Sequence, residues 1–285
     1  MDGAVRRQRV INTNVGLIGG GNMGRAIAGG LLRGGMHATN LMIAEPLPEQ
    51  CDLLRKELYG IMVAEENETV AAAVDTLLFS VKPQILKPVC ENLAEIVQQS
   101  RPLIMSIAAG PKIEDIDQWL GGGLSVVRVM PNQPALIDQG ISALFANERT
   151  DESGRDMAEK IMTAVGQVVW LDSESKMDAV TAVSGTGPSY FYLLIDCMIE
   201  AGVNSGIDPE TARTLAVETA RGATSLAAAE TESMSSLIER VRSPGGTTTA
   251  AFELLDAADV RGIFAAAIAA AERRAAELAE EASAS

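Results

Sequence analysis

Three glycines with G-x-G-x-x-G spacing, Gly19, Gly21 and Gly24, lie within VGLIGGGNMGRAIAGG at residues 15–30. An apolar, strand-like run precedes them and a helical run follows. That setting points to a dinucleotide loop rather than a glycine-rich turn. Gly19 would permit a tight turn, Gly21 would let the backbone approach a pyrophosphate, and Gly24 would let the helix lie close to the strand. The N–H groups that follow, from Asn22 and Met23 onward, would face the phosphates at the positive end of the helix. Glu45 closes the second apolar run, 21 positions beyond Gly24. A carboxylate there would accept the ribose 2′-hydroxyl of NAD and repel the 2′-phosphate of NADP. Pro46 and Leu47 follow it, and Arg55 is a more distant partner for such a phosphate. The residues lean towards NAD and leave NADP open.

Two further apolar runs end in small or rigid residues. SVKPQ holds Val81, Lys82 and Pro83, and SIAAG holds Ala108, Ala109 and Gly110. Strand ends of this kind line the ligand crevice of an open α/β sheet, where small residues admit a nicotinamide and its ribose. Pro83 and Gly110 could equally serve only to stop strands. Lys82 could be catalytic, bind the cofactor or be solvated.

An alcohol dehydrogenase needs a general base, usually His or Lys. The single histidine, His37, sits in a polar loop ahead of the second strand, far in sequence from those strand ends. β-Hydroxyacid dehydrogenases carry G-x-G-x-x-x-K on a helix. Here SGTGPSYF keeps Gly185 and Gly187 but has Phe191 in place of the lysine. That departure weighs against an alcohol substrate. A second loop, Ser243 to Thr249 in RVRSPGGTTTAAFELL, is small and hydroxyl-rich and leads into a helix. Consecutive N–H groups at Gly246, Thr247 and Thr248 could hold a substrate carboxylate there. An ordinary capped turn is the alternative.

The elements that must position these residues alternate. Seven strand-like runs (NVGLIG, LMIAEP, DTLLFSVKP, PLIMSIAAG, LSVVRVMPN, ISALFAN and VVWL) are interleaved with helix-like stretches such as ILKPVCENLAEIVQQ and ESGRDMAEKIMTAVG. The pattern predicts an α/β, doubly wound parallel sheet of Rossmann type with helices on both faces. After Leu171 no strand pattern recurs. SYFYLLIDCMIEAGVNSG is apolar almost all round, which suits a bundle core or an oligomer interface. PETARTLAVETARGATSLAAA opens with Asp208 as N-cap and Pro209 at the first helical position. The last helix becomes strongly charged and is expected to fray into ASAS. The expected domains are residues 1–172, dinucleotide-binding, and 173–285, all-helical.

The chain has 285 residues and a formal net charge of −15, which argues against nucleic-acid binding and reads as solubility. Cys51, Cys90 and Cys197 form no C-x-x-C pair, so neither a disulfide framework nor a zinc site is expected, and no metal. The polar stretch with Arg6, Arg7, Arg9, Asn12 and Asn14 lacks the apolar core of a signal peptide. No apolar run reaches membrane-spanning length, and a cytoplasmic location is expected.

Taken together, these segments resemble pyrroline-5-carboxylate reductases. GLIGGGNMGRAIAGGLL, SVKPQ, IAAG, VVRVMPNQPALIDQG, DAVTAVSGTGPSYFYLLIDCMIEAGVNSGI and VRSPGGTTTAAFELL follow the family's order across nearly the whole chain, SPGGTT and SGTGPSY being the most diagnostic. The resemblance implies reduction of 1-pyrroline-5-carboxylate to proline with NADPH or NADH. It also implies a Rossmann domain followed by a helical dimerisation domain. The homodimer would interleave its C-terminal helices and could build larger rings such as a decamer. By the same resemblance Ser243, Gly245, Gly246, Thr247 and Thr248 hold the substrate carboxylate, and the Thr248 hydroxyl lies near the imine nitrogen. Val81, Lys82, Pro83, Ala108, Ala109 and Gly110, with Pro131 and Asn132, would line the nicotinamide side.

Imine reduction needs a hydride at carbon and a proton at nitrogen but no strong base, which agrees with a site lacking His or Lys machinery. Glu45 runs against the family's frequent use of NADPH. Glu66 stands where many relatives have Asn, with Asn67 one position away, and Glu218 stands where Gln is frequent. Two other functions remain: reduction of a related cyclic imino acid, and a catalytically silent nucleotide-binding protein.

Overall fold

The structure, a computed structural model, describes Ile11 and residues 13–284. Arg6, Arg7, Arg9 and Asn12, on which the reading of the leading segment rests, lie outside the described residues. The chain forms two compact units. One comprises the described residues through Gly185 together with those from Ala271 onward, and the other is Thr186–Ala270.

The first unit is built on eight strands: β1 (Val15–Ile18), β2 (Leu41–Ala44), β3 (Met62–Ala64), β4 (Thr76–Phe79), β5 (Leu103–Ser106), β6 (Val126–Met130), β7 (Gly140–Ala146) and β8 (Gly166–Trp170). Their order in one sheet is β3-β2-β1-β4-β5-β6-β7-β8. The order reverses between β1 and β4, and a sheet of this kind binds its ligand in the crevice at that switch point. β1 to β6 run parallel. β7 is antiparallel to β6, which departs from the all-parallel expectation, and β8 is parallel to β7.

The connections are α1 (Asn22–Arg33), α2 (Pro48–Glu57), α3 (Asn67–Ala71), α4 (Pro83–Ser100), α5 (Ile113–Trp119), α6 (Glu152–Thr163) and α7 (Met177–Val180). Alternation along the strands explains the layering. Leu17, Leu78, Met105 and Val127 point into one core with Ile27 and Leu31 of α1, Leu54 of α2 and Ile161 of α6. Their neighbours Ile18, Leu77, Phe79, Ile104 and Val126 point into the other, against Val70 of α3, Leu86, Leu93 and Val97 of α4, and Ile116 of α5. Both faces are covered, so these strands are continuously apolar rather than alternating. Each large side chain fully buried here contributes about 1.5–3 kcal/mol.

No strand follows Trp170 among the described residues. A π-helical turn, Thr181–Gly185, leads into α8 (Gly187–Asn204), α9 (Pro209–Ala229), α10 (Met234–Val241), α11 (Thr247–Ala257) and α12 (Val260–Ala284). Asp208 caps α9 as expected, its carboxylate accepting from the Thr211 N–H at 3.0 Å. α8 packs against α9, and Tyr190 meets Phe264 edge to face at 6.1 Å. α12 is helical through Ala284, where fraying was expected, and Ser285 of ASAS lies outside the described residues. Its end belongs to the first unit, where Ala275 and Ala279 are buried. Among the described residues, no helix is long and apolar enough to cross a membrane, and no cluster of three His, Cys, Asp or Glu is placed to hold a metal.

Candidate active site

The strand ladder continues past the strand ends and holds the loops of the crevice side by side. Gly19 N–H donates to Ala44 O at 2.8 Å, Ser80 N–H to Ile18 O at 2.9 Å, and Ile107 N–H to Phe79 O at 3.1 Å. The loops after β1, β2, β4 and β5 are therefore neighbours. They carry the glycines, Glu45, Val81 to Pro83, and Ala108 to Gly110.

Each of the three spaced glycines has a distinct surrounding. Gly19 has φ +101°, where a side chain would be strained. A Cβ at Gly24 would lie 2.6 Å from Gly19 O and 2.8 Å from Ser80 Oγ, so only glycine lets α1 come this close. Ser80 is part of the fastening, since its hydroxyl donates to Gly19 O at 2.7 Å. At Gly21 an added Cβ would meet nothing within 4 Å. Gly21 precedes α1 without a side-chain cap, so the first N–H groups of the helix, from Asn22 and Met23 onward, are left for an outside acceptor. Open space over Gly21 beside uncapped donors fits a pyrophosphate.

Glu45 is 8% exposed. One carboxylate oxygen accepts from Gly20 N–H at 2.9 Å and the other from Leu47 N–H at 3.1 Å. The carboxylate is thus part of the loop's architecture, with lone pairs remaining on each oxygen. Cys51 is buried beneath it and donates its thiol hydrogen to Glu45 O at 2.9 Å. Desolvation by burial pushes this thiol up, away from ionisation.

Lys82 is exposed at the start of α4, directly before Pro83 at its first position. Ala108 and Gly110 are buried, and Ala109 is half-buried. Asn132 begins a 3-10 turn, and its Oδ1 accepts from Ile141 N–H at 2.9 Å, which fixes the amide's orientation. His37 is exposed in the loop before β2.

In the second unit, Ser243 to Thr249 form a tight turn at the start of α11. Gly245 has φ +71°. Gly246 N–H donates to Ser243 O at 2.9 Å, and the Thr249 hydroxyl donates to the same oxygen at 2.6 Å. Gly246 N–H is therefore engaged within the turn, whereas Thr247 and Thr248 supply the unpartnered helix-start donors. Thr248 is half-buried. Thr249 closes the hydroxyl-rich loop expected from the sequence; its bond back to Ser243 O was not anticipated, although a hydroxyl three residues into a helix is an ordinary means of tying a loop to its own backbone. Glu218 is paired with Arg221.

A glycine loop at the switch point of a doubly wound sheet, beside small-residue strand ends, defines a Rossmann-type NAD(P)-dependent oxidoreductase. Residues 14–110 match the family model described as NADP oxidoreductase coenzyme F420-dependent, and residues 174–278 match pyrroline-5-carboxylate reductase dimerisation. The chain is 41% identical over 267 residues to the pyrroline-5-carboxylate reductase of Pseudomonas aeruginosa, covering 94% of this chain and 97% of that one. The chain belongs to the pyrroline-5-carboxylate reductase family. The solved Coxiella burnetii member superposes with a TM-score of 0.88 at 36% identity, covering 94% of this chain and 99% of that one. The Plasmodium falciparum pyrroline carboxylate reductase, solved with NADP bound, gives a TM-score of 0.85 at 27% identity, covering 95% and 100%.

Proposed function

We infer that the chain reduces 1-pyrroline-5-carboxylate to L-proline with NADPH or NADH. The observation that carries this reading is the intact dinucleotide loop at the switch point, in a chain that matches curated pyrroline-5-carboxylate reductases over nearly its full length. The cofactor supplies the hydride. On the protein side, Gly19, Gly21, Asn22, Met23 and Gly24 would hold the pyrophosphate, and Glu45 would face the adenosine ribose. Val81 to Pro83, Ala108 to Gly110 and Asn132 would shape the nicotinamide side.

The substrate carboxylate would sit on the donors at the start of α11. Ser243, Gly245 and Gly246 set the turn, and Thr247 and Thr248 supply the N–H groups. Thr248 is the one residue assigned to the chemistry. Its hydroxyl is too weak an acid to protonate an amine by itself, so it would orient the imine nitrogen and relay a proton from water. A ring C=N that already accepts a hydride readily needs placement more than acid-base force, and placement is what these loops supply.

The working assembly would be a homodimer through residues 173–285, with residues 1–172 binding the dinucleotide. Four consecutive side chains on α8, Phe191 to Leu194, are each more than half exposed in the single chain, which supports their burial by a second copy. Interleaved helices, a decameric ring and a cytoplasmic location belong to the same proposal. Turnover with pyrroline-5-carboxylate, with proline as product, tests the activity. Light scattering tests the assembly.

A further inference from the structure

A charged side chain inside the sheet has no part in the chemistry above. Arg128 lies on β6, flanked by β5 and β7, and is 4% exposed. Its Nη2 donates to Gly110 O at 3.0 Å and its Nη1 to Glu174 Oε1 at 3.0 Å. The same Glu174 oxygen accepts from Ile113 N–H at 2.9 Å. Gly110 has φ +105°, and a Cβ there would lie 3.1 Å from Leu278 O and 3.4 Å from Ala279 N. Glu174 and Leu278 are the first and last residues of the segment matching the dimerisation model. Both ends of that segment thus meet the chain at Gly110 to Ile113, at the end of the SIAAG loop and just beyond it.

We propose that Arg128 and Glu174 are positioning residues that set the Ser106–Gly110 loop for the cofactor and tie it to the first residue of the dimerisation segment, whose last residue, Leu278, lies close against Gly110. The proposal rests on the reading that this loop borders the nicotinamide. An apolar residue at 128 would satisfy the strand's packing without the desolvation cost of a buried guanidinium. What an apolar residue could not do is fix the Gly110 carbonyl. The planar fork of arginine holds two acceptors at a set separation, and a lysine ammonium does not reproduce that geometry. The loop has few other fastenings: Ile107 N–H donates to Phe79 O, and Ala108 N–H donates to Ser106 Oγ at 3.3 Å.

The test compares the full-length wild-type chain with Arg128→Lys and the double variant Arg128→Met/Glu174→Met. Three quantities are measured: melting temperature, NAD(P)H affinity by fluorescence titration, and the separate KM values for NAD(P)H and pyrroline-5-carboxylate. Removing both members of a buried pair can restore stability that removing one would forfeit. The double variant should therefore still fold, melting below the wild type by the cost of leaving Gly110 O and Ile113 N–H without their partners. Its NAD(P)H affinity should nevertheless fall about tenfold, as when a supporting hydrogen-bond partner is lost, while the imino-acid KM changes less than about twofold. Arg128→Lys should show the same direction with a smaller change, and it decides the matter if the double variant does not fold. Wild-type cofactor affinity in a stably folded variant would mean that the network only stabilises the fold, and the proposal would be wrong. A wild-type chain that binds no NAD(P)H would instead remove the cofactor reading and the inference with it.

Discussion

Gly21→Ala separates a loop that binds a pyrophosphate from one that merely turns the chain. Gly21 has φ −64° and ψ −177°, extended backbone open to any residue, and its added methyl would meet no atom within 4 Å. Alanine is a poorer N-cap than glycine by about 0.5 kcal/mol. The loss of freedom in the unfolded chain returns about 0.4–1 kcal/mol. The two nearly cancel, so the melting temperature should move by about 2 °C or less. Binding should behave differently, because the methyl occupies the space through which the diphosphate reaches the N–H groups of α1. Losing one charge-assisted hydrogen bond of about 1.5–3 kcal/mol weakens affinity about ten- to a hundredfold. Gly24→Ala is the internal control. Its methyl would press on Gly19 O at 2.6 Å and Ser80 Oγ at 2.8 Å, so it should cost about 1–3 kcal/mol of stability. Thermal denaturation and fluorescence titration with NADH and NADPH read both effects. Unchanged cofactor affinity in Gly21→Ala would refute the pyrophosphate assignment.

Other outcomes follow from single groups. Glu45→Gln keeps an acceptor for the Gly20 N–H but removes the charge, so kcat/KM with NADPH should rise relative to NADH by about tenfold, the size of like-charge repulsion in a partly solvated site. A constant ratio would show that Glu45 does not sense the 2′-phosphate. Thr248→Ala should lower turnover with pyrroline-5-carboxylate by at least about tenfold and leave NAD(P)H affinity intact; unchanged kcat would remove its catalytic role. Burial pushes the Cys90 thiol up to about 12, against about 8.5 for a free thiol. The unfolded chain then loses this proton first, so stability should fall as pH rises above about 9, by up to about 1.4 kcal/mol per pH unit. The decline should be shallower in Cys90→Ala, and an identical slope would assign it to other groups.

Most of the nucleotide half was legible because its signals are local. An apolar run, spaced glycines and a helix follow one another, and the surroundings of Gly19, Gly21 and Gly24 differ as steric reasoning demands. β3 escaped notice because it is three residues long and leads directly into Glu65 and Glu66. The reversal of β7 was available in the sequence. Only nine residues join β6 to β7, too few for the dozen or more of a parallel crossover.

α8 was harder to place. Its all-round apolarity suits a bundle core and a subunit interface equally, and Phe191 to Leu194 lie exposed in the single chain. α10 was missed because its short run lies between two polar segments. Arg128 was a visible anomaly, a charge within VVRVM, but its partners Gly110 and Glu174 are 18 and 46 positions away, and only the fold brings them together.

Steady-state oxidation of NADH and NADPH by the purified chain with pyrroline-5-carboxylate, with proline measured as product, tests the central claim most directly. The account predicts proline formed in step with cofactor oxidised, and none without the imino acid. A folded chain that binds NAD(P)H yet forms no proline with either cofactor would contradict it.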